Sequence, residues 1–101
     1  MEVSTKCKDR CLEIFLRGEL DHHGARGFLA FAEKAIEQNL PLRLILDFAG
    51  ITFMDSSGIA VVLRSRQRMQ AIGGTVILRN LAPQPRKVLD AANIGCIVTM
   101  E

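Results

Sequence analysis

The stretch Leu42-Arg43-Leu44-Ile45-Leu46-Asp47-Phe48 is followed, after a polar loop and a run of helical spacing, by Gly73-Gly74-Thr75-Val76-Ile77-Leu78-Arg79. In the first segment Leu44, Leu46 and Phe48 fall on one side and Arg43, Ile45 and Asp47 on the other. In the second, Val76 and Leu78 oppose Thr75, Ile77 and Arg79. A period of two is that of a strand. Between them Ile59, Val62, Leu63, Met69 and Ile72 make one stripe of a helix, which Gly73-Gly74 stops because glycine accepts the left-handed conformation of a helix C-cap. Strand, helix and strand in this order predict two parallel strands joined by a right-handed crossover.

The same reading extends outward. Residues Cys11 to Arg17 alternate, with Leu12, Ile14 and Leu16 on one side, and Val3 to Cys7 is expected to pair with them as a hairpin across Lys8-Asp9-Arg10. Ala25, Phe28, Leu29, Ala32, Ile36 and Leu40 recur at three-and-four spacing, an amphipathic helix closed by Asn39 and Pro41. Pro83 to Ala92 is a short helix with proline in its first turn, and Cys96 to Met100 a last strand. A chain of 101 residues has room for one core, so residues 1–101 are read as a single α/β domain. The expected architecture is a mixed, mainly parallel sheet with helices chiefly on one face, because one side of each strand is greasier.

Composition narrows the function. Hydrophobic residues are 49% and charged residues 24%, which is the balance of a folding domain. With no Trp, no Tyr, five Phe and a net charge of +2, the chain has neither stacking platforms nor a basic field for nucleic acid. Arg64, Arg66 and Arg68 lie on the predicted helix, with Arg64 and Arg68 on one face; a solvated face is the plain reading and an acidic partner surface the second. Cys7, Cys11 and Cys96 form no CxxC pair and are an odd number, so reduced thiols in a cytoplasm are expected, with no disulfide or zinc framework. No apolar run approaches the roughly 18 residues of a membrane span, and no secretory h-region opens the chain.

Two polar loops follow strand ends: Gly18-Glu19-Leu20-Asp21-His22-His23-Gly24 and Thr52-Phe53-Met54-Asp55-Ser56-Ser57-Gly58. Loops at the C-terminal ends of strands form the usual binding edge of an open sheet, so the two are expected side by side. Asp55, Ser56 and Ser57 are good N-cap residues for the following helix, and capping is the bland reading of all three. Asp21 reads as a loop acid carrying little of the stability. A serine–histidine hydrolase built from Ser56 or Ser57 with His22 or His23 lacks the first glycine of the G-x-S-x-G elbow. No G-x-x-x-x-G-K appears, and two adjacent histidines diverge too much for a metal site. No catalytic residue, metal or cofactor is assigned. Ala60 and Val61 add apolar surface near the second loop, which suits a partner interface.

Phe53-Met54-Asp55-Ser56-Ser57-Gly58, with Gly18-Glu19-Leu20-Asp21-His22-His23 and Ile72-Gly73-Gly74, resembles the anti-sigma factor antagonists of the STAS domain family, most closely their sporulation branch. The resemblance covers nearly the whole chain; many relatives continue past the position of Glu101 into a further helix. It implies a protein that binds an anti-sigma factor, itself a serine kinase working with ADP or ATP, and frees a sigma factor for transcription. It also implies phosphorylation at Ser56, reversed by a PP2C-like phosphatase, with Asp21 helping to bind the kinase. On this reading the partner surface comprises Asp21, His22, Asp55, Ser56, Ser57, Gly58, Ala60 and Val61, and the free chain is a cytoplasmic monomer without catalytic activity. A STAS subunit of another kinase or sensory complex is the alternative within the family.

Overall fold

The computed structural model describes residues 1–101. In chain order the elements are β1 (Glu2–Lys8), β2 (Cys11–Leu20), α1 (His22–Asn39), β3 (Arg43–Met54), α2 (Ser57–Ala71), β4 (Thr75–Arg79), α3 (Pro83–Ala91), a 3-10 turn (Ile94–Cys96) and β5 (Thr99–Met100). The sheet runs β1-β2-β3-β4-β5; β1 is antiparallel to β2 and the other neighbours are parallel. Each crossover from β2 onward steps in the same direction, and connections of one hand then place every helix on one face. Buried residues of all three helices, among them Phe28, Val62 and Leu89, accordingly join one core with Leu12, Ile14, Leu44, Leu46 and Leu78. The opposite face has no helix over it and carries the half-buried Glu13, Phe15 and Arg79, with Arg79 reaching Glu13 and Glu101 at 3.8 and 3.3 Å, while Asp47 is buried there and accepts from the Ala49 N–H at 2.9 Å and Asn80 Nδ2 at 3.0 Å.

The hairpin turn is Asp9-Arg10, both left-handed at φ 52° and 60°, as a two-residue turn between twisted strands requires. Gly73, at φ 76°, closes α2 as expected. Leu40 closes α1 in the same conformation at φ 44°, and its carbonyl accepts from Arg10 at 3.0 Å. The buried stripe of α2 is Gly58, Val61, Val62, Ser65 and Met69, so the expected stripe is displaced: Leu63 is 42% exposed and Val61 lies inside. Basic Arg64 and Arg68 are answered within the chain by Glu33 of α1, at 3.1 and 3.3 Å. The last strand shortens to Thr99–Met100 because the chain first makes the 3-10 turn. All three cysteines are free, and no helix is long and apolar enough to cross a membrane.

Candidate functional site

The two polar loops turn out to be mostly regular structure. Strand β2 continues through Leu20 and α1 begins at His22, leaving Asp21 alone between them; β3 continues through Met54 and α2 begins at Ser57, leaving Asp55 and Ser56. Leu20 is in register with Met54, and the Asp55 N–H donates to the Leu20 carbonyl at 3.3 Å. Asp21 and Ser56 therefore each stand one step beyond a pair of joined residues, which brings the two corners together as the loop positions predicted.

Each carboxylate has a structural duty. Asp21 is the N-cap of α1: its Oδ1 accepts from the Gly24 N–H at 2.8 Å. Asp55 Oδ1 accepts from the Ser57 N–H at 2.7 Å, and its carbonyl accepts from the Gly58 N–H at 3.1 Å. The capping of α2 is thus done by Asp55, and the serine at the cap position, Ser56, makes no side-chain cap bond. Its hydroxyl is exposed and free at the helix start. The first-turn N–H groups are already engaged, that of Ile59 by the Ser56 carbonyl at 3.1 Å.

Of the remaining candidates, His22 and Ala60 are exposed and Ser57 is partly covered. Gly58 is buried beneath the corner, where a Cβ would run into the Met54 side chain and approach Leu20 at 3.2 Å. Gly58 is therefore a packing position. Val61 is fully buried and cannot meet a partner, because it lies on the core stripe of α2. The exposed apolar side chains that flank the corner in the chain are instead Phe53, 44% exposed, before it, and Ala60 and Leu63 on α2 after it. His22 and His23 sit in the first turn of α1, and neither hydrogen-bonds to Ser56 or Ser57.

Gln84, at the start of α3, was not among the sequence candidates. Strand β4 accompanies β3 only as far as Asp47, so the far side of Met54 has no strand beside it. The Gln84 amide takes that place, accepting from the Met54 N–H at 2.9 Å and donating to its carbonyl at 2.7 Å. The corner that carries Ser56 is held by Leu20 on one side and Gln84 on the other.

The family model described as "STAS domain" matches residues 2–101. The anti-sigma F factor antagonist of Lysinibacillus sphaericus is 39% identical over 82 residues, 81% of this chain and 70% of that protein. The solved structure of the anti-sigma factor antagonist SpoIIAA in its unphosphorylated form matches with a TM-score of 0.85 at 33% identity, over 99% of this chain and 88% of that one. The structure of SpoIIAA from Bacillus in the phosphorylated form matches with a TM-score of 0.76 at 32% identity, over 99% and 91% of the two chains.

Proposed function

Because the chain belongs to the STAS domain family, among the anti-sigma factor antagonists, we propose that it binds an anti-sigma factor that is also a serine kinase and is switched off by phosphorylation at Ser56. The observation that carries this reading is the Ser56 hydroxyl, exposed at the start of α2 and spared the cap bond that Asp55 makes instead. Such a hydroxyl is available as an acceptor without loss of helix stabilisation. The kinase brings ATP and the transfer machinery. Its product is a seryl phosphate carrying about −1.5 to −2 charges.

The local hydrogen bonding supports a reading of what that charge does. Since Asp55 and the preceding carbonyls already occupy the first-turn N–H groups, the phosphate is not absorbed into the cap. It remains outward, beside the carboxylates of Asp55 and Asp21. Charge crowding and desolvation then expel a partner docked over Asp21, Ser56, Phe53 and Ala60. A PP2C-like phosphatase resets the switch, and release of the anti-sigma factor's sigma subunit in the bound state connects it to transcription, within a sporulation programme in the cytoplasm.

The test is a titration against the cognate anti-sigma factor with ADP present, together with phosphate mapping after incubation with ATP. One phosphate on Ser56 is expected, with strong binding by Ser56→Ala and at least tenfold weaker binding by Ser56→Asp, both variants remaining folded. A phosphate on Ser57, or equal affinities of the two variants, overturns the mechanism.

A further inference from the structure

The two edges of the sheet are unlike. Strand β5 has two residues and offers little backbone to pair with. Strand β1 has seven, is bordered only by β2, and is exposed at every position except the half-covered Val3. An exposed edge of this length is a template for another strand. We propose that β1 pairs with β1 of a second copy of this chain, antiparallel about a two-fold axis at Thr5, joining two sheets into one.

The backbone dictates which residues do the pairing. Lys8 and Cys11 flank the two-residue turn and are opposite one another. In such a hairpin the flanking pair exchanges its backbone hydrogen bonds, and along β1 the bonds then alternate. Lys8, Lys6, Ser4 and Glu2 spend their N–H and C=O groups on β2, while Cys7, Thr5 and Val3 turn theirs outward. Centring a second strand on Thr5 sets Thr5 against Thr5 and Val3 against Cys7, so that each outward residue exchanges both backbone bonds.

The side chains agree with this register. It places Glu2 of one copy opposite Lys8 of the other, twice by symmetry, and Ser4 opposite Lys6. Opposite charges and Thr–Thr pairs facing one another across a strand pair stabilise it. A two-residue shift that centres the pair on Lys6 would set two lysines together and leave Glu2 and Val3 unpaired. The shift centred on Ser4 leaves Lys8 unmatched. Lysines on an edge ordinarily discourage pairing; here Lys8 meets its counter-charge on the second copy. An edge of one strand buries less than the about 1,200 Å² of a stable interface. The association is therefore weak and concentration-dependent, which changes the expectation of a strict monomer. Because the two-fold reverses strand direction, the two Ser56 corners face opposite ways and both stay open.

Sedimentation of the intact chain from micromolar to millimolar concentration tests the pairing. A monomer–dimer equilibrium is expected, and Thr5→Pro should abolish it, since that N–H points away from β2 and its loss leaves the hairpin ladder intact. Glu2→Lys alone and Lys8→Glu alone should each weaken self-association about tenfold by opposing like charges. An equimolar mixture of these two variants should restore the dimer, because each copy then offers the charge the other lacks. Circular dichroism establishes that each variant is folded. A chain that stays monomeric throughout, a dimer indifferent to all three substitutions, or a monomer whose edge takes only an unrelated peptide overturns the proposal.

Discussion

At the scale of single residues, neighbouring polar groups in the Ser56 corner do different work, and substitutions separate them. Asp55→Ala removes the bond to the Ser57 N–H and is expected to cost about 1 kcal/mol, whereas Ser56→Ala removes no bond and should stay within about 0.5 kcal/mol of the parent. Chemical denaturation distinguishes the two. Asp21 needs more care than a loop acid would, because it caps α1. Asp21→Ala should lose about 1 kcal/mol, while Asp21→Asn keeps an oxygen for the Gly24 N–H and removes only the charge. Unimpaired kinase binding by a stable Asp21→Asn would remove that charge from the interface. Gln84→Ala should destabilise by about 1 to 2 kcal/mol, since the Met54 N–H and carbonyl both lose their partner. It should also weaken binding at Ser56, although Gln84 lies thirty residues further along the chain than Met54.

Among the elements, α2 shows where periodicity is informative and where it falls short. The spacing of apolar residues identified the helix, yet the buried stripe includes Gly58 and Ser65 and excludes Leu63. Small residues are invisible to a hydrophobic pattern, but they are what closely packed elements need at their contact. Ser65, 2% exposed and facing α1, has a hydroxyl with no hydrogen-bond partner. Ser65→Ala removes that unmatched group and improves helix propensity, so a gain of about 1 kcal/mol is expected in thermal or denaturant unfolding. A loss would mean that the hydroxyl has a partner in solution. The extension of β3 to Met54 was hidden for a related reason. Beyond Phe48 the strand passes Ala49-Gly50 with a register shift against β2 and loses β4 as a neighbour, so its alternation breaks while its pairing continues.

For the whole molecule, the alternation of strands and helices made the mainly parallel sheet, its opening hairpin and its helical layer readable, because the rules of crossover leave few choices, while the strand order β1-β2-β3-β4-β5 came from the structure. Gln84's grip on Met54 was not readable, since nothing in local spacing announces a side chain replacing a strand across the fold. Charge offers a global check on the proposed switch: one phosphate would take the net charge from +2 to about zero, which ion exchange resolves. The shortness of the corner has a separate consequence. Only Asp55 and Ser56 lie between β3 and α2, so the Ser56 hydroxyl exists in its presented form only when strand, helix and the α3 glutamine are all assembled. A kinase that reads this corner reads tertiary structure, and a synthetic peptide covering residues 50–62 should be a poor substrate beside the folded chain. Under the proposed switch, misfolded copies would escape modification altogether, and a phosphate at Ser56 would double as a certificate of correct folding.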